Sequence, residues 1–120
     1  MNFLYVFLGG GLGAITRYGI SRVVQSPGNG FPLATFCANV LSCILLGLLM
    51  GWVSQRSLDA KSQLLLMTGF CGGFSTFSTF SAETFKLIEG GQMGIAILYI
   101  GASIAVCLAC IGLGLKLAGI

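Results

Sequence analysis

Gly69-Phe70-Cys71-Gly72-Gly73-Phe74-Ser75-Thr76-Phe77-Ser78-Thr79-Phe80-Ser81 is the stretch that decides the fold. It sits inside an uncharged run from Ser62 to Ala82, long enough to cross a bilayer. Its chemistry nevertheless suits a lipid-facing helix poorly. Paired glycines lower helix propensity, and serine and threonine hydroxyls compete for backbone partners. Irregular backbone at membrane depth is tolerated only where it is buried in protein or lines a cavity. The pattern therefore predicts a spanning helix broken at about Gly72 to Ser75. Freed carbonyls at such a break can bind a small cation, and the N-terminus of the following half-helix favours an anion.

The rest of the chain agrees that this is a membrane segment. Of 120 residues, six are Lys or Arg and three are Asp or Glu, which is 8%. A soluble domain carries roughly 25%. With 56% hydrophobic residues and 19 glycines besides, the excess apolar surface must face lipid. A net charge of +3 is no nucleic-acid footprint. The absence of histidine excludes His-based metal sites, general bases and pH switches. Five cysteines, an odd number in apolar surroundings, argue against a paired disulfide framework. Cys107-Leu-Ala-Cys110 has redox spacing without a βαβ context. No residue pattern indicates an enzyme.

Two more uncharged runs, Phe31 to Val53 and Gln92 to Leu115, are clean spans, and the N-terminal run becomes a fourth if Arg17 enters the membrane. That N-terminal run lacks a basic leader region and does not read as a signal peptide. The expected organisation is one transmembrane domain over 1–120, with spans at about 3–24, 32–53, 63–88 and 93–117. Turns are expected at Ser26-Pro27-Gly28-Asn29-Gly30-Phe31-Pro32, across Ser54 to Lys61, and at Glu89-Gly90-Gly91-Gln92. Such short loops give an antiparallel four-helix bundle. Small-residue pairs (Gly9 with Gly13, Gly47 with Gly51, Gly69 with Gly73) allow close helix contact. A lone four-helix chain has no room for an aqueous cavity, so transport implies oligomerisation, with a dimer the simplest closed assembly.

Polar residues at depth mark function in membrane proteins. Arg17 shares a face of the first helix with Gly10 and Gly13, and either snorkels to the headgroups or serves the interior. Asn39 lies mid-way along the second helix, with Thr35 one turn before and Ser42 and Cys43 one turn after. Its carboxamide suits either interhelical hydrogen bonding or an anion. Phe77 and Phe80 share a face, beside a stripe of Thr76, Thr79 and Glu83. Phenyl rings carry a positive edge, so ring edges and hydroxyls together can hold a small anion without a full charge. Tyr99, Ser103 and Cys107 form one stripe on the last helix.

Gly10-Gly11-Leu12-Gly13-Ala14-Ile15-Thr16-Arg17-Tyr18, Asn39 within Thr35-Phe36-Cys37-Ala38-Asn39-Val40, and the run from Gly69 to Glu83 together resemble the Fluc (CrcB) fluoride channels. The likeness covers essentially the whole chain. It implies a passive fluoride-selective channel, an antiparallel dual-topology homodimer in the inner (plasma) membrane, which exports fluoride and lowers its toxicity. By that resemblance Phe77 and Phe80 would be pore phenylalanines and Asn39 the pore amide. Thr35, Ser78, Thr79, Glu83 and Arg17 would lie nearby, and Tyr99 and Ser103 would continue the polar track. Cys107 stands where another hydroxyl is expected. A structural sodium ion at the dimer interface would map to the carbonyls of Gly72 and Ser75.

Two other classes compete. A proton-coupled antiporter of small multidrug resistance type needs a titratable carboxylate in the first helix, and none is present. A non-transporting assembly subunit would use the glycine motifs but leaves the Ser/Thr/Phe run unexplained. Charge counting bears on orientation. Arg56, Lys61 and Lys116 lie on the side of the termini, and Arg22 and Lys86 on the other, with Arg17 nearer to them. So small a bias predicts insertion both ways.

Overall fold

The structure, a computed structural model, describes every residue except Ser26 and Ile120. Ser26, which opens the first expected turn, lies outside the described residues. All regular structure among the described residues is helical. Helix α1 spans Asn2–Val23 and α2 spans Leu33–Ser54. Residues 60–74 form α3, α4 spans Phe77–Glu89 and α5 spans Met93–Leu117. Helices α1, α2 and α5 are each long and apolar enough to cross a bilayer. The chain is an all-α membrane protein.

Local chemistry explains the boundaries. Pro32, which cannot donate a backbone hydrogen bond, precedes α2, and Arg56 at φ 58° turns the chain out of that helix. Helix α3 opens on Asp59, whose carboxylate accepts the Ser62 amide at 2.9 Å. Hydrogen bonds from the Ser62 side chain and then its amide hold the exposed Asp59 carboxyl below the usual carboxylate range. This cap is therefore present at neutral pH and lost as the pH falls through that lowered value. Over Gln63–Cys71 the helix takes the wider π winding, tightening to α over Gly72–Phe74. Ser75 (φ −91°, ψ 157°) and Thr76 (φ −153°, ψ 126°) are extended. The Thr76 hydroxyl then accepts the Thr79 amide at 3.3 Å and caps α4. Glu89 is followed by a turn whose Gly91 has φ 77°.

Helices pack in two parallel pairs, α1 along α3 and α2 along α5. Both are glycine crossings. A Cβ on Gly9 would strike the Leu65 carbonyl oxygen, and one on Gly13 the Phe70 carbonyl oxygen. In the second pair, Gly47 lies against the Ile111 carbonyl and Gly114 against the Ile44 carbonyl. The intrachain partner of Gly47 is thus Gly114, a residue the small-residue pairing above did not include.

Contacts along α2 and α5 keep a near-constant register from end to end. Gln92 donates to the Asn29 carbonyl at 3.0 Å, and Gln55 to the Ala118 carbonyl at 2.9 Å. This register sets Asn39 and Cys43 beside Ser103 and Cys107. Gly47→Ala is expected to destabilise the fold by roughly 1–3 kcal/mol, because two backbones must separate. Gly101→Ala, where a Cβ meets nothing within 4 Å, serves as the control. Unfolding in mixed detergent micelles measures both, and equal stability of the two variants would contradict the crossing.

Candidate functional site

The extended Ser75–Thr76 step interrupts the helical hydrogen-bond ladder, and side chains from α1 and α2 take up freed groups. The Cys71 carbonyl accepts the Ser75 amide at 3.0 Å, the Ser75 hydroxyl at 2.8 Å and the Ser42 hydroxyl at 3.4 Å. The Gly73 carbonyl accepts Arg17 Nε at 3.2 Å. Thr76 N–H, which a continuing helix would offer to the Gly72 carbonyl, instead donates to Asn39 Oδ1 at 3.2 Å. Arg17 therefore lies against the end of α3, neutralising a helix C-terminus where cations are favoured.

The Asn39 bond has a chemical consequence. A backbone N–H can only pair with the carboxamide oxygen, so the Asn39 Nδ2 donors face elsewhere. Asn39 lines a cavity of about 280 Å³ together with Cys43, Ser75, Thr76, Phe77, Phe80, Ser103, Ile104 and Cys107. Ser103 is 5% exposed, and its Oγ is the one buried side-chain polar atom without a partner among the described residues. A buried hydroxyl left unpaired costs roughly 1–3 kcal/mol. It is the kind of group a ligand satisfies.

Aromatic packing positions the rings. Tyr99 is fully buried in a cluster with Leu87 and Ala96, against which Phe31, Phe36 and Phe80 pack. Phe80 lies 4.9 Å from the Tyr99 ring, and Phe77 lies 5.8 Å from Phe80 at 38°. Phe77 is 78% exposed, so one wall of the cavity stands at the surface of the chain. Hydroxyl and amide donors and phenyl rings thus converge, with no full charge among the lining residues. This suits a small anion better than a cation.

Glu83 organises a second group of the sequence-predicted residues. One carboxylate oxygen accepts the Thr35 hydroxyl and the other the Tyr99 hydroxyl, each at 3.0 Å. Both hydroxyls donate to Glu83, and neither residue lines the first cavity. Thr35, Thr79, Glu83 and Arg17 instead line a separate cavity of about 380 Å³ with Ala14, Tyr18, Ser21 and Ala34. Ser78 is exposed, its hydroxyl 3.2 Å from that of Thr76, and lines neither cavity. Sequence reasoning did not place Cys43 in the site, although it lies one turn beyond Asn39. The same holds for Ser75 as a cavity-lining side chain.

Comparison with known proteins follows the same lines. The profile of the family described as CrcB-like protein, Camphor Resistance (CrcB) matches residues 4–115. A relative from Methylobacterium sp. (strain 4-46), named Fluoride-specific ion channel FluC, is 46% identical over 106 residues, covering 88% of this chain and 86% of its own. Relatives of the same name from Coxiella burnetii and Thermus thermophilus are each 42% identical. They cover 95% and 98% of this chain, and 94% and 95% of their own length.

Proposed function

The chain belongs to the CrcB-like family, and we propose that it is a fluoride-selective passive channel of the inner membrane, exporting fluoride and lowering its toxicity. One observation carries the reading. The buried Ser103 hydroxyl has no partner among the described residues and lines the cavity shared by Asn39, Phe77 and Phe80. Fluoride is small, strongly hydrated and a strong hydrogen-bond acceptor. The Asn39 amide donors, the Ser103 hydroxyl and the two phenyl edges replace its water in stages, each weakly enough to let the ion leave. Neither competing class is favoured. Helix α1 holds no carboxylate for proton exchange, and a mere assembly subunit has no use for an unpaired buried donor.

The functional unit in this reading is an antiparallel dimer of four-span chains. Residues 60–74 and α4 together form the third span, broken at mid-membrane by Ser75 and Thr76. Exposed Phe77 and Gly72 support a partner at that surface. Pairing two chains in opposite orientations sets their breaks face to face and gives two pores. The carbonyls of Gly72 and Ser75 then hold a structural sodium ion between them. The donor set fits a hard cation, since Gly72 has lost its helical donor to Asn39 while Gly73 is occupied by Arg17. When bound, sodium supplies a fixed positive potential for the anion.

Fluoride-electrode recordings from proteoliposomes test the reading, with chloride-loaded vesicles alongside. Fluoride efflux with little chloride efflux supports it, and equal efflux of both sinks it. Sodium is expected to act structurally, so fluoride flux should not respond to an imposed sodium gradient at fixed voltage. A flux that followed the sodium gradient would indicate a symporter.

A further inference from the structure

Cys43 and Cys107 remain unused by the reading above. Both are free thiols, and both line the cavity that holds the Ser103 hydroxyl. The parallel glycine crossing fixes them there. Cys43 lies one turn before Gly47 and Cys107 one turn before Ile111, so the crossing brings both residues to the same cavity. Two thiols lining one cavity suit soft metal ions, which prefer thiolates to the oxygens and amides around them.

We infer that Cys43 and Cys107 form a two-thiolate site for a soft monovalent cation of the silver(I) type, and that occupancy shuts the cavity. Two S–H bonds break, two metal–sulfur bonds form and two protons leave, with no change of oxidation state. The resulting bis-thiolate complex carries one net negative charge. It stands among the donors intended for an anion, where the low dielectric strengthens its repulsion of fluoride. Closure of the cavity rests on the channel reading, whereas metal binding does not.

Silver(I) titration of the purified protein in chloride-free buffer, against a competing small thiol, tests the binding. One equivalent per chain is expected to resist competition. Cys43→Ser or Cys107→Ser should each weaken it by about 10²- to 10⁴-fold, since the second thiolate binds intramolecularly. Cys37→Ser and Cys110→Ser should leave it in place. Silver should also protect Cys43 and Cys107 of the unsubstituted protein from maleimide labelling, a readout that needs no variant to fold. Protection of other cysteines, or retention of the tight equivalent in Cys43→Ser, overturns the site. In proteoliposomes, silver should reduce the protein's own untreated fluoride flux at least tenfold. Tight binding with undiminished flux overturns the closure, and absence of flux before silver is added counts against the channel reading instead.

Discussion

Phe80→Ile is expected to lower fluoride flux by about 100-fold, which corresponds to ~2.7 kcal/mol on the barrier. The substitution keeps an apolar side chain of similar reach and removes the ring edge. Phe80 packs at 4.9 Å on Tyr99, which holds the ring in place at the cavity. Ring geometry beside an anion is set by the quadrupole, which an aliphatic chain lacks. Phe77→Ile should also lower flux, by less, because its exposed ring has fewer neighbours within its own chain. Both variants should elute as the wild-type assembly does. Unaltered flux in well-folded Phe80→Ile would return the ring to simple packing.

The second large effect concerns orientation. Adding two lysines beside Lys116 is expected to insert every chain the same way and abolish flux. The Gln55–Ala118 bond places Arg56 and the Lys116 end of α5 at the same end of the α2–α5 pair. Asn29 and Gln92 mark the opposite end. Lysine and arginine near span ends set orientation, and the native distribution is close to balanced. Reporters fused to the wild-type C-terminus should therefore be active on both sides of the membrane. Co-expression with a chain carrying added lysines in the 24–32 loop should restore flux to the locked variant. A wild-type reporter active on one side only would refute the antiparallel assembly for this chain.

Much of the architecture was legible in the apolar runs, because a membrane reduces the problem to length and charge. Arg17, Asn39 and Glu83 stood out for the same reason: each is polar where polarity is costly. What the sequence did not disclose depends on register. Gly114 as the partner of Gly47 follows from how α5 slides along α2, which glycine spacing within one helix does not specify. The π winding over Gln63–Cys71 has no compositional mark, since the same apolar residues suit an α-helix equally. The hydroxyls of Thr35 and Tyr99 were expected in the ion's track. Both donate to Glu83, a pairing across helices that depends on register and is not readable from spacing along one helix. Cys43 entered the cavity through the same register that brought Ser103 to Asn39.

Passive, electrogenic fluoride conduction is the central claim, and one recording tests it most directly. Proteoliposomes are loaded with potassium fluoride and diluted into fluoride-free medium of equal pH and sodium content, with a fluoride electrode outside. Efflux should be nearly silent until valinomycin lets potassium follow, and then immediate, without any proton or sodium gradient. Efflux that ignores valinomycin and begins only when a pH gradient is imposed would contradict the channel account.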